Sequence, residues 1–197
     1  MTTDREHRSN GTGRLILIVG ESGVGKDTLL AAARIALAGD PRFVFPRRMI
    51  TRPADATEHC ITVSETEFDH LAASGAFSLR WSAHGLKYAL PICVNSHLGA
   101  GRTVVCGVSR TVVGEARQRF AQVTVIEVVA PLPVRAARLV DRGREAAKDI
   151  AERLAPTARD VVIGQRDITV ANDDTIERAA ATFIAALTAD RFSTSSH

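Results

Sequence analysis

Nine residues, Gly20-Glu21-Ser22-Gly23-Val24-Gly25-Lys26-Asp27-Thr28, limit what this chain can fold into more than any other segment. They follow the apolar run Leu15-Ile16-Leu17-Ile18-Val19 and precede Leu29-Leu30-Ala31-Ala32-Ala33. That spacing predicts a buried strand, a tight loop and a helix in direct succession. The loop fits G-x-x-x-x-G-K-[ST] at Gly20, Gly25 and Lys26, with Asp27 where a hydroxyl is expected. Glycines let successive backbone N–H groups turn inward around phosphate oxygens at the positive end of a helix, and the Lys26 ammonium reaches the outer phosphates. The expectation is a nucleotide cradle built from Gly20, Glu21, Ser22, Gly23, Val24, Gly25, Lys26, Asp27 and Thr28. The competing reading is a glycine-rich turn without a ligand.

Asp27 needs its own account. A loop hydroxyl ligates Mg²⁺ through a neutral oxygen, helped by an acid at the end of a neighbouring strand. Here the apolar run Thr103-Val104-Val105-Cys106 ends in Gly107 with no acid. Asp27 is therefore expected to supply the carboxylate for Mg²⁺, directly or through water, while Thr28 contacts the α-phosphate. A carboxylate inside an anion cradle is unfavourable unless a cation lies between. The alternative is a solvent-facing aspartate that favours the helix dipole.

Further on, Ser64-Glu65-Thr66-Glu67 reads as a capping box opening a helix through Phe68 and Leu71. Residues 43–53 read as one extended segment, and 77–83 and 87–90 as two short strands about Gly85. Pro91 is expected to open a helix ending near Gly99. Apolar runs at 103–106, 123–129 and 168–170 read as buried strands, separated by helices around 112–120, 131–141 and 150–154. A last amphipathic helix covers 175–189. Strands alternating with helices predict an α/β fold, a parallel sheet flanked by helices on both faces. Ligands of such sheets sit beyond the carboxyl ends of the strands, where the glycine loop lies.

With 197 residues and 45% hydrophobic content the chain is expected to form a single domain over 14–190. Residues 1–13 read as a disordered leader and 191–197 as a disordered tail. A formal net charge of +3 and 5% aromatic residues give no sign of a nucleic-acid partner. No stretch approaches the roughly 20 apolar residues that span a bilayer. The cysteines Cys60, Cys93 and Cys106 are odd in number and far apart, which points to reduced thiols and a cytoplasmic setting. Oligomeric state is not legible.

The order of signals resembles the guanylate kinase-like branch of the P-loop kinases. The matching landmarks are the loop at Gly20, Ile50-Thr51-Arg52-Pro53, Phe77-Ser78-Leu79-Arg80-Trp81, Tyr88, Arg138-Leu139-Val140-Asp141-Arg142-Gly143 and Asn172-Asp173-Asp174. The resemblance implies a three-layer fold with an acceptor-binding segment at about 43–90 and an arginine-bearing lid at about 142–153. It also implies Arg52 at the acceptor's phosphate, Arg142 and Arg153 on the lid side, and Asn172 near the adenine of ATP. Guanylate kinases read guanine through a glutamate just before the tryptophan and a second carboxylate past the strand that ends here near Cys106. This chain has Arg80 and Gly107-Val108-Ser109-Arg110 there. Guanine's buried donors would be left unpaired, so a more positive pocket without base-reading acids suits an acceptor with more phosphate and no base.

That combination is similar to the ribose 1,5-bisphosphate phosphokinases of phosphonate catabolism. The specific points are G-K-D in the loop, I-T-R-P, W-x-A-H-G-L-x-Y from Trp81 to Tyr88, Ser109-Arg110 and R-G-R-E from Arg142. The resemblance implies transfer of the ATP γ-phosphoryl group to a small sugar phosphate. Lys26, Asp27, Arg142 and Arg153 are then the expected catalytic residues. Arg48, Arg52, His84, Lys87, Tyr88, Ser109 and Arg110 are the expected acceptor contacts. Two other readings stand against it: a nucleoside monophosphate kinase, and a non-catalytic guanylate kinase-like binding module. Glu127, inside an apolar run, has no account from sequence.

Overall fold

A computed structural model describes residues 13–53, 59–83, 85–141 and 167–189. The leader, the tail, His84 and the segment holding Arg142, Arg144 and Arg153 lie outside the described residues.

The centre is β1 (Arg14–Val19), whose residues 15–19 are all buried. Alternation splits this run between two cores. Leu15, Leu17 and Val19 enter one, and Ile16 and Ile18 the other. A strand apolar on both faces belongs in the middle of a covered parallel sheet. That sheet has five strands in the order β2-β7-β1-β8-β9. They are β2 (Phe43–Val44), β7 (Thr103–Gly107), β8 (Val123–Val129) and β9 (Ile168–Ala171) beside β1. Each described pairing in it is parallel.

One face is covered by α1 (Lys26–Ala36) and by α6 (Ile176–Thr188), whose Ala179, Phe183 and Leu187 recur at helical spacing. Thr175 caps α6, its hydroxyl accepting from the Arg178 N–H at 3.4 Å. The other face meets α3 (Cys93–Gly99), a 3-10 turn at Arg110–Val112 and α4 (Val113–Arg119). Helix α5 (Leu132–Asp141) follows β8. The expected sheet covered on both faces is therefore present.

A second, four-stranded sheet runs β4-β3-β6-β5, formed by β3 (Arg48–Ile50), β4 (Cys60–Thr62), β5 (Phe77–Ala83) and β6 (Leu86–Pro91). Helix α2 (Glu65–Ala73) packs on it through Phe68, against Phe77 and Ala89. Ser64 caps α2, its hydroxyl accepting from the Glu67 N–H at 3.1 Å, which is one half of the expected capping box. Three local expectations are corrected. The extended segment at 43–53 divides, β2 joining the large sheet and β3 the small one. Strand β4 was not expected. Pro91 ends β6 opposite Phe77 instead of opening a helix, and α3 starts at Cys93. Among the described residues no helix is long and apolar enough to cross a membrane.

Candidate active site

The glycine loop lies at the carboxyl end of β1, and its shape follows from three backbone positions. Gly20, Gly23 and Gly25 have φ of 153°, 81° and 89°, values that L side chains rarely adopt. Space is short as well. A Cβ on Gly23 would stand 2.7 Å from the Arg135 carbonyl oxygen, and one on Gly25 2.5 Å from Asn172 Nδ2. Gly25 is also the N-cap of α1, so the loop feeds directly into the positive end of that helix.

The loop carbonyls are held from outside. Asn172 Nδ2 donates to Val24 O at 2.7 Å, and Arg138 Nη1 donates to Val24 O at 3.3 Å and to Asn172 O at 3.1 Å. Arg135 Nε donates to Ser22 O at 3.0 Å, and its Nη1 to Glu21 Oε2 at 2.6 Å. On the inner side Lys26 Nζ donates to Gly20 O at 2.6 Å and to Glu21 O at 3.3 Å. Carbonyls turned to these partners do not face a bound anion, and within the loop the Val24 N–H donates to Glu21 O at 3.4 Å. Asn172, expected beside the adenine, is 1% exposed and gives its Nδ2 to the loop, while its Oδ1 is buried without a hydrogen-bond partner among the described residues. Thr28 is exposed on the first turn of α1.

Asp27 sits in the first turn of α1 with Oδ1 3.6 Å from Arg48 Nη2. Arg48 also donates from Nη1 to Gly107 O at 3.3 Å, and its guanidinium carbon lies 5.9 Å from the Tyr88 ring centroid. Tyr88 stacks on Trp81 with ring centroids 5.5 Å apart. Trp81 is thus a packing residue that carries the tyrosine, and Tyr88 carries the arginine. Asp27 and Arg48 line a solvent-open cleft that reaches Arg34, Phe45 and His59. Its floor includes Cys106, whose thiol is pushed up to about 12 by burial, against the opposing charge of Arg48. At its outer end Arg34 donates to His59 Nδ1, so Nε2 carries the proton and donates to Phe45 O at 3.2 Å. Partial burial, then the Arg34 charge, hold the His59 pKa below its usual value.

The expected acceptor contacts divide. Arg52 donates to Pro53 O at 2.9 Å. Arg47 donates to Cys60 O at 2.6 Å, tying the start of β3 to β4. Ser109 caps the 3-10 turn, accepting from Thr111 N–H at 3.4 Å. Arg110 Nη2 donates to Glu127 Oε1 at 2.6 Å, which supplies the partner Glu127 lacked in the sequence reading. Glu127 pairs in register with Val19, beside the start of the loop. Lys87 is a correction. Strand alternation turns it away from Tyr88 to the α2 face, where Nζ donates to Asp69 Oδ1 at 2.7 Å. Arg80 is corrected likewise: it pairs in register with Ala89 on that same face and is exposed. Arg48, paired with Asp27, and Arg110, paired with Glu127, stand beside the positive charge that Lys26, Arg135 and Arg138 bring to the loop itself. Sequence reasoning missed Arg135 entirely; its spacing of three from Arg138 on α5 was the available signal.

A phosphate cradle at the end of the central strand of a β2-β7-β1-β8-β9 sheet, with a small mixed sheet beside it, defines a P-loop kinase of the guanylate kinase-like fold. The guanylate kinase of Anaplasma phagocytophilum has that fold, with a TM-score of 0.65, 18% sequence identity, and coverage of 93% of this chain and 89% of its own. Curated relatives are much nearer in sequence. The chain is 47% identical over 177 residues to "Ribose 1,5-bisphosphate phosphokinase PhnN" of Methylobacterium radiotolerans, covering 90% of this chain and 98% of the relative. It is 48% identical over 176 residues to the protein of the same name from Acidiphilium cryptum, covering 89% and 93%. No protein-family model matches. The chain belongs to the ribose 1,5-bisphosphate phosphokinase family.

Proposed function

We infer that the chain transfers the γ-phosphoryl group of ATP to the 1-phosphate of ribose 1,5-bisphosphate, giving 5-phosphoribosyl 1-diphosphate and ADP. The observation that carries this is the near-half identity, over nine-tenths of the chain, to relatives named for that reaction. The bond from the γ-phosphorus to the β,γ-bridging oxygen breaks, and its electron pair leaves on ADP. A new bond forms from the γ-phosphorus to an oxygen of the acceptor's 1-phosphate. That phosphate has a second pKa of about 6 and is already ionised at neutral pH, so no general base is required. The obstacle is crowding of like charges, which positive charge and positioning overcome.

The loop N–H groups and Lys26 take the β- and γ-phosphates, Lys26 leaving Gly20 O and Glu21 O to do so. Arg48, Arg52, Tyr88 and Arg110 form the acceptor side, with Ser109 beside them. The segment about 43–90 is the acceptor-binding part of one domain spanning 14–190. Arg142 and Arg153 close over the transferring group from the lid, and His84 reaches the acceptor. Asn172 acts on ATP through the loop.

Asp27 is the carboxylate we assign to Mg²⁺. Its position next to Lys26 at the head of α1 fits, because Mg²⁺ is usually bound through one or two carboxylates together with substrate phosphates and water. Among the described residues no cluster of three His, Cys, Asp or Glu side chains is placed to hold a metal by itself, so Asp27 would act together with phosphate oxygens and water. When bound, the ion draws charge from the phosphate oxygens. Free Cys60, Cys93 and Cys106 support a reducing, cytoplasmic setting. The test is ³¹P NMR of ATP, Mg²⁺ and ribose 1,5-bisphosphate with the purified chain. A diphosphate signal matching 5-phosphoribosyl 1-diphosphate supports the reading, and ADP release without it counts against it.

A further inference from the structure

We propose that Arg135 is a positioning residue of the phosphate loop, and that its pairing with Glu21 removes a negative charge from the mouth of the nucleotide site. The proposal rests on reading the loop as the ATP site. Arg135 is an unusual side chain: a guanidinium only 5% exposed, on a helix that carries none of the expected loop contacts. A buried arginine needs partners. Its partners are all in the loop: Nε to Ser22 O at 3.0 Å and Nη1 to Glu21 Oε2 at 2.6 Å. Its own backbone packs under Gly23, with the carbonyl oxygen 2.7 Å from where a Cβ would stand. One residue therefore seats the loop through a backbone contact, a backbone hydrogen bond and an ion pair.

The consequence follows from which contacts survive when a triphosphate arrives. Lys26 Nζ bonds Gly20 O and Glu21 O and has to leave them to reach phosphate. The bonds of Arg135 to Ser22 O, and of Asn172 and Arg138 to Val24 O, come from outside and need not change. They keep the carbonyls outward, so the N–H groups stay preorganised for the anion. Glu21 adds an electrostatic part. It follows Gly20 directly, and its carboxylate has the same sign as the ligand. Arg135 holds it on the α5 side and cancels its charge.

This makes a signed expectation that simple structural support does not. Arg135→Met leaves Glu21 unpaired beside the triphosphate, so the Kd for MgATP should rise about tenfold or more, the size of effect typical of residues that orient a binding shell. Glu21→Gln alone should change it by less than about threefold, because a neutral amide still accepts from Arg135. Adding Glu21→Gln to Arg135→Met should recover part of the loss. Arg135→Lys, which keeps a charge but not the two-pronged contact, should fall between wild type and Arg135→Met, and it carries the test if the methionine variant does not fold. KM for ribose 1,5-bisphosphate should stay unchanged throughout. The probe is titration calorimetry with MgATP. If the arginine variants bind MgATP as wild type does, or if Glu21→Gln fails to rescue Arg135→Met, the inference is overturned. Absence of MgATP binding by wild type would instead overturn the reading of the loop itself, and this inference with it.

Discussion

Glu127→Leu is the substitution whose cost can be worked most fully from the geometry. Glu127 Oε1 accepts from Arg110 Nη2 at 2.6 Å, with side-chain exposures of 22% and 16%. Both groups have lost most of their water, so neither charge is stable there alone. Breaking a fully buried pair from one side costs about 3–5 kcal/mol. Residual exposure lets solvent take up part of that, and about 2 kcal/mol is the expected loss. For a chain of this size that corresponds to a fall in Tm of roughly 4–8 °C, at about 2–4 °C per kcal/mol. Arg110→Met/Glu127→Leu removes both charges and should lie closer to wild type than Glu127→Leu does. Thermal unfolding followed by circular dichroism gives the double-mutant cycle. A Glu127→Leu change within about 0.5 kcal/mol of zero, or singles that sum to the double within about 0.5 kcal/mol, would refute the reasoning. KM for the acceptor should rise in Glu127→Leu, because Arg110 loses the partner that orients it.

Three further outcomes are expected. Asp27→Asn should raise the Mg²⁺ concentration for half-maximal activity about tenfold, measured by titrating Mg²⁺ at saturating ATP; an unchanged Mg²⁺ curve would sink the assignment. A maleimide at pH 7.5 should label the native chain at exposed Cys93 and spare Cys106, since a buried thiol pushed up to about 12 supplies almost no thiolate. Equal labelling of both by peptide mass mapping would contradict the burial. For His59, the folded pKa lies below the ordinary 6.5, so the unfolded chain binds the proton more readily. The contribution of the Arg34–His59–Phe45 contact is whole above about pH 6.5 and is lost as pH falls through the lowered pKa. Tm should therefore decline shallowly between pH 7 and 5, less so in His59→Gln; parallel declines would rule this out.

The large sheet was legible because its signals are local. β1 and β8 are apolar runs of strand length, and the loop glycines mark the turn into α1. The small sheet was less legible because its strands are short and their pairing is non-local. Cys60-Ile61-Thr62 becomes β4 only by lying parallel to Arg48–Ile50. Face assignment failed for the same reason. Lys87 and Tyr88 are adjacent in sequence and opposite in direction, and only the packing of α2 shows which side holds Asp69. Arg80 lost its expected place by the same alternation. In the site, motif spacing found the loop but not its supports. The three-residue spacing of Arg135 and Arg138 is the one hint in the sequence, and it gains meaning only when α5 is seen against Gly23. Asn172 was expected at the adenine, and in the structure its Nδ2 bonds Val24 O.

The central claim is that this guanylate kinase-like cradle serves a sugar bisphosphate. Its most direct test is kcat/KM for ADP release with ribose 1,5-bisphosphate and with GMP as competing acceptors, at saturating MgATP. A strong preference for ribose 1,5-bisphosphate, of at least about a hundredfold, is expected, because Arg80 and Gly107-Val108-Ser109-Arg110 stand where guanylate kinases carry their base-reading carboxylates. Equal or better turnover of GMP would contradict the account.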